Sequence, residues 1–224
     1  MTVSQDISRP SQSFDQADLE LWPIGNCQVS GLVDRTGALV WGCVPRVDGD
    51  PVFCALLNGD RRDAGIWRFE LEGQTSLEQH YERNTAILVT RIEAEDGSAV
   101  EIRDFCPRFE SSGRMYRPVA WVRNVRPVSG NPRLRVVLKP MRDYGAEIAP
   151  TTHGTNHVRY LIGPQALRLS TDAPIGYVLE DRSFRVESEL HFFLGPDEPF
   201  SGNLRAELQR METLTRDCLL YTSD

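Results

Sequence analysis

The sequence predicts an all-β protein: a large antiparallel β-sandwich, or supersandwich, followed by a C-terminal linker α-helix. Three features of the 224 residues point there. Short apolar runs recur from about residue 24 to about residue 195, several alternating with polar residues as in a strand with one wet face. Turn residues return between the runs, at Thr36-Gly37, Glu72-Gly73, Asp96-Gly97, Ser129-Gly130-Asn131-Pro132 and Gly163-Pro164. There Gly supplies positive φ and Pro ends a ladder. A helical period enters only after about residue 200.

Residues 1–20 are rich in Ser, Gln and Asp and have little to bury, so a disordered lead-in is expected. Residues 21–199 show no internal repeat and no interior linker and are expected to form one sandwich domain. Val100 and Ile102 alternate with Glu101 and Arg103, and Leu134, Val136 and Leu138 with Arg133, Arg135 and Lys139. Ile87-Leu88-Val89 and Val119-Ala120-Trp121-Val122 are continuously apolar and suit strands buried on both faces. In residues 200–224, Leu204, Leu208, Met211, Thr215 and Cys218 recur at steps of four and three, one face of a helix capped by Ser201 or Asn203. Such a face needs a surface, either the sandwich or something further along the chain. The last residues, Leu219 to Asp224, carry no cap and read as a truncated end.

The 32 acidic against 25 basic residues give a net charge of −7, which repels phosphate backbones and excludes nucleic acid as an expected partner. Neutral sugars are indifferent to that charge. No apolar stretch approaches the ~20 residues that span a bilayer, so no membrane partner is expected. The N-terminus lacks the basic start and hydrophobic stretch of a secretion signal. Five cysteines, an odd number with no C-x-x-C pair, read as thiols of a reducing compartment, and a cytoplasmic location is expected. No cofactor is expected.

Several blocks fall in a specific order. Ile24-Gly25-Asn26-Cys27 is followed by Gly31-Leu32-Val33-Asp34-Arg35-Thr36-Gly37, then by Trp41-Gly42-Cys43-Val44-Pro45-Arg46-Val47-Asp48. Phe53-Cys54-Ala55-Leu56-Leu57, Gly65-Ile66-Trp67 and Tyr81-Glu82-Arg83-Asn84-Thr85 come next. Asp104-Phe105-Cys106-Pro107, Pro140-Met141-Arg142-Asp143-Tyr144-Gly145 and Leu194-Gly195-Pro196-Asp197-Glu198-Pro199 complete the series. The series resembles the N-terminal domain of glycoside hydrolase family 15, the glucoamylases and trehalases of bacteria and archaea. The match runs from about Leu21 to Asp217. It departs at Val47-Asp48-Gly49, where the family usually has Phe-Asp-Ser, and after Asp217, where the family continues with aromatic residues.

The resemblance implies a β-sandwich, a linker helix and then a catalytic (α/α)6 barrel of the same full-length chain, which acts on an α-glucoside carbohydrate with inversion. Two carboxyl groups do that chemistry, one as acid and one as base. Neither position maps onto this chain, so no catalytic residue is assigned and the chain alone is expected to be inactive. The alternative is a stand-alone carbohydrate-binding module.

The polar candidates for a substrate rim or domain interface are Arg46 and Asp48, Arg142, Asp143 and Tyr144, and Trp22. Arg46 with Asp48 suits either a hydroxyl-rich ligand or mutual pairing. Tyr144 beside a charged pair suits either a sugar ring or packing at a strand end. Trp41, Trp67 and Trp121 lie in strand-like runs and are expected in the core, whereas Trp22 sits at the domain edge. His153 and His157 are four apart, but their Thr- and Gly-rich surroundings favour a polar loop, and no metal is assigned. The acids Glu93, Glu95, Asp96 and Glu101 read as a solvated hairpin.

Overall fold

A computed structural model describes residues 19–57, 63–200 and 202–221, of which 219–221 are described without side chains. Most of the expected lead-in, the cap candidate Ser201 and the chain beyond Tyr221 thus lie outside the described residues. The first strands are β1 (Leu21–Gly25), β2 (Ser30–Asp34), β3 (Leu39–Val44), β4 (Asp50–Phe53), β5 (Ile66–Leu71) and β6 (Gln74–Tyr81). Next come β7 (Leu88–Ala94), β8 (Ala99–Phe105), β9 (Phe109–Ser111), β10 (Arg114–Tyr116), β11 (Trp121–Ser129) and β12 (Arg133–Lys139). The last are β13 (Met141–Arg142), β14 (Glu147–Ile148), β15 (Thr151–His153), β16 (His157–Ile162), β17 (Gln165–Thr171), β18 (Phe184–Arg185) and β19 (Leu190–Pro196). A short helix, α1 (Ile175–Leu179), precedes β18, and α2 (Leu204–Tyr221) follows β19.

Two large antiparallel sheets result, as the alternating pattern predicted. One has seven strands in the order β1-β2-β3-β5-β12-β18, with β4 also paired to β3. The other has eight, in the order β15-β16-β17-β19-β11-β8-β7-β6. The late strand β19 is inserted between β17 and β11, so the larger sheet closes only when the end of the sandwich is in place. The hairpins β9–β10 and β13–β14 stand apart as two-stranded ladders.

Inward residues of both sheets form one core. Leu39, Trp67, Phe69, Leu134 and Val136 of the smaller sheet meet Ile92, Ile102, Trp121, Phe192 and Leu194 of the larger. The alternation of β8 puts Val100 and Ile102 inside, with Glu101 and Arg103 on the far face. The continuously apolar runs are buried on both sides: Leu88 and Trp121 enter this core, while Ile87, Ala120 and Val122 pack beneath α2. Two glycines make room for the Trp121 indole. A Cβ at Gly31 would lie 2.9 Å from its Nε1, and one at Gly42 2.9 Å from its Cζ2. The indole N–H donates to the Ser30 carbonyl at 3.3 Å, tying β11 to β2 across the sandwich.

The core also contains an ion pair. Arg123 and Asp104, opposite each other on β11 and β8, are both fully buried. Arg123 donates to both Asp104 oxygens, at 2.8 and 2.9 Å. Its other N–H groups donate to the carbonyls of Trp67 and Gly37, each at 2.6 Å, in the opposite sheet and its hairpin turn. The guanidinium lies 4.9 Å from the Phe69 ring centroid and 5.4 Å from that of Trp67. Burial pushes the Asp104 carboxyl up, and Arg123 opposes that rise. Two buried charges cost more solvation than apolar residues of their size, so the pair specifies how the sheets meet more than it stabilises the fold.

Arg123→Met is expected to lower the unfolding free energy by about 3–5 kcal/mol in urea titrations, because it strands the Asp104 carboxylate. The double variant Arg123→Met/Asp104→Leu should recover part of that loss. A double variant no more stable than the single one would show that the two unmet carbonyls dominate instead.

Candidate functional site

Two of the sequence blocks meet at one end of the smaller sheet. The loop between β3 and β4 carries Arg46 and Asp48, and the turn between β13 and β14 carries Asp143 and Tyr144. They are joined by Asp50, whose Oδ1 accepts the backbone N–H of Tyr144 at 2.9 Å. Arg46 forks onto Asp48 through Nε and Nη2, both at 2.9 Å. Arg142 forks onto Glu147 across the hairpin at 3.1 and 2.5 Å, and that bond pushes its guanidinium further toward the charged form.

The Tyr144 side chain is not packed: it is 79% exposed. Asp143, Tyr144 and Gly145 hold consecutive positive φ angles of 52°, 56° and 83°. Such angles cost on the order of 1 kcal/mol at each non-glycine residue. Val47 in the β3–β4 loop and Ile148 on β14 are also exposed, at 60% and 56%. The two segments thus expose an aromatic ring beside two arginine–carboxylate forks.

The Ile24-Gly25-Asn26-Cys27 block does structural work. Asn26 is buried, and its Nδ2 donates to the carbonyls of Pro107 and Pro118 at 2.9 and 2.8 Å. Its Oδ1 accepts the N–H groups of Gln28 and Val29, which closes the β1–β2 turn. In the next block Asp34 Oδ1 accepts the N–H groups of Thr36 and Ala38, shaping the turn that aims the Gly37 carbonyl at Arg123.

A second constellation lies between α2 and the outer face of the larger sheet. Asn203 Oδ1 accepts the Ala206 N–H and caps the helix. Leu208, Met211 and Thr215 are buried, and Leu204 and Cys218 are partly buried beside them. The contact is strongly polar. Glu212 accepts Arg103 Nη1 at 3.0 Å and Asn124 Nδ2 at 2.9 Å, and Thr215 Oγ1 accepts the Arg108 N–H at 3.1 Å. Arg216 forks onto Glu82, and the Arg216 bond holds the Glu82 carboxyl below its ordinary value against a smaller opposing effect of burial. Near the helix start, buried His191 approaches Asp172 through Nδ1 at 3.0 Å. Burial pushes the Asp172 carboxyl up, but the His191 hydrogen bonds outweigh it and hold it low.

The other sequence candidates are placed as follows. Trp22 is half-buried on the edge strand, its ring 5.4 Å from that of Tyr81, whose hydroxyl donates to the Pro23 carbonyl. Trp67 and Trp121 are core residues, and Trp41 is partly buried against Cys54, Ala64 and Met141. His153 and His157 belong to the β15–β16 hairpin rather than to a loop. Among the described residues no group of three or more His, Cys, Asp or Glu has the geometry of a metal site. None of the five cysteines forms a disulfide, and no helix among the described residues is long and apolar enough to cross a membrane.

Sequence reasoning missed Arg123, Glu212, His191 and Asp172. Parity was the available signal for Arg123, which falls in step with inward Trp121 and Val125, while Asp104 falls in step with Val100 and Ile102. Glu212 sits next to Met211 on the inner side of the helix, where an acid requires a partner.

Residues 19–172 match the profile of the family described as "Trehalase-like, N-terminal". The chain is similar to the trehalase of Mycolicibacterium smegmatis, 28% identical over 195 residues that cover 75% of this chain and 27% of that protein. It is 29% identical to the trehalase of Mycobacterium tuberculosis over 204 residues, covering 79% and 28% respectively. With the trehalase of Thermoplasma volcanium the figures are 24% over 154 residues, 68% and 24%. The chain spans about a quarter of the length of the curated relatives it matches. No solved structure gives a significant match.

A carboxyl held low in the folded state contributes its full stability above the unfolded value and loses it as the pH falls through the folded one. Glu82→Gln is therefore expected to be less stable than the parent at pH ~7 and to lose less on acidification below about pH 4.5. Urea midpoints across that range read the difference. Parallel acid limbs in the two proteins would mean that the Arg216–Glu82 fork does not hold α2 down.

Proposed function

Because this chain belongs to the trehalase-like N-terminal domain family, we propose that it is the supporting β-sandwich of a family 15-type enzyme. In this reading the inverting hydrolysis of an α-glucoside is done by an (α/α)6 barrel of the same full-length protein. Residues 1–20 form a lead-in, 21–199 the sandwich and 200–224 the link toward that barrel. The match of residues 19–172 to an N-terminal family, with relatives called trehalase, is the observation that carries this.

The disposition of acids supports it. Inverting hydrolysis takes two carboxyl groups roughly 6.5–9.5 Å apart with room for water between them. The two buried acids among the described residues, Asp104 and Glu212, lie on opposite sides of the larger sheet, each engaged by arginine. Arg46, Asp48, Arg142, Asp143, Tyr144 and Trp22 are then groups for contact with the barrel or the rim of its sugar pocket. The absence of disulfides fits a cytoplasmic protein, with nucleic acid and membrane not among its partners. Exposed Tyr144 favours one further reading, a module that itself binds carbohydrate.

The polypeptide is expected to release no glucose from trehalose or maltooligosaccharides. It should co-purify with the barrel of a family trehalase supplied as a separate chain, and melt at a higher temperature in that complex. Turnover of trehalose by the polypeptide alone would sink the supporting role.

A further inference from the structure

The turn at Asp143–Gly145 carries an aromatic ring outward from the β13–β14 hairpin. The chain there accepts left-handed backbone at two non-glycine residues and uses it to hold an aromatic ring in solvent, at 79% exposure. Two other exposed tyrosines among the described residues differ: Tyr116 rests on Phe109 with ring centroids 5.0 Å apart, and Tyr177 on Phe184 at 5.9 Å. Tyr144 is also pinned from behind, since the Asp50 carboxylate takes its N–H and the Arg142–Glu147 fork ties the two arms of its hairpin. A ring whose backbone is fixed before a ligand arrives loses little freedom on binding.

We propose that Tyr144 is the stacking platform of a binding site for a neutral pyranoside, with Arg142, Asp143, Arg46 and Asp48 as its hydroxyl-binding groups. This rests on the reading that the parent protein handles α-glucosides. The charges select the ligand class. Arg46 and Arg142 are each matched by a carboxylate at hydrogen-bond distance, so neither offers an open cation to an anionic ligand. The forks keep N–H donors and carboxylate lone pairs that sugar hydroxyls can meet. A pyranose supplies the complement: an apolar C–H face for the Tyr144 ring, with hydroxyls around the edge. The side chain of Asp143 is 64% exposed and 3.9 Å from Arg142, which leaves its carboxylate open to accept hydroxyl donors.

The test is amide chemical-shift mapping of the full chain during titration with trehalose, maltose and methyl α-glucoside. Saturable shifts in the millimolar range are expected at residues 46–50 and 142–148. Tyr144→Ala should weaken binding by about tenfold, and Tyr144→Phe should retain most of it. Because the side chain is exposed, the thermal midpoint of either variant should stay near that of the parent, which separates lost binding from lost folding. No saturation by roughly 100 mM sugar overturns the proposal, as does binding that Tyr144→Ala leaves intact. Shifts at these loops on adding the barrel, but not on adding sugar, would make the turn a domain contact and also overturn it. In that case the supporting role stands while the sugar site falls.

Discussion

The two sheets face each other so that the Trp67 and Gly37 carbonyls meet the Arg123 guanidinium. Hydrophobic burial is non-directional, and many offsets of two apolar faces would bury similar area. A guanidinium is different: its donors are fixed in a plane, and inside a core each must find an acceptor. Arg123 takes a carboxylate from its neighbouring strand and two carbonyls from across the sandwich, while Trp67 and Phe69 cover its face. The Trp121 indole, seated against Gly31 and Gly42, adds a shape constraint to this polar one.

The same principle operates on the outer side of the larger sheet. A helix laid on apolar residues alone would be free to slide or rotate. Here Leu208 and Met211 supply burial, and Glu212, Thr215 and Arg216 supply position through bonds to β8, β11, the segment after β8 and Glu82. Helix α2 is thereby held to the sandwich as a rigid part of it. In the reading proposed above, a rigid link is what transmits the position of the sandwich to a domain beyond it. The exposed loops around Asp50 are joined by a carboxylate on the Tyr144 N–H rather than by burial.

Most of the family-like sequence blocks thus turn out to be structural devices. Asn26 joins the first turn to Pro107 and Pro118, and Asp34 shapes the turn that presents Gly37. The Asp104 block carries the buried carboxylate. The segments around Arg46 and Tyr144 place their polar and aromatic groups outward.

Period-two alternation, turn residues and the late change to a helical period were enough to fix the all-β class, several strand segments and the buried face of α2, though not the β15–β16 hairpin of His153 and His157. Each of these depends on neighbours within a few residues along the chain. The same parity runs on to Asp104 and Arg123, though the sequence reading did not carry it that far. What parity could not supply was their partner, since Arg123 lies next to Asp104 only through the β8–β11 pairing, and next to Trp67 and Gly37 only once the second sheet closes. Likewise Tyr144 read equally well as packing or as an exposed contact. The choice was made by the approach of Asp50, 94 residues earlier in the chain, and by backbone angles that local composition does not dictate. Sequence determined which face each residue presents, because that is local stereochemistry. Tertiary structure decided which faces meet, because a hydrogen bond or a shape fit across the sandwich exists only when both sides have arrived.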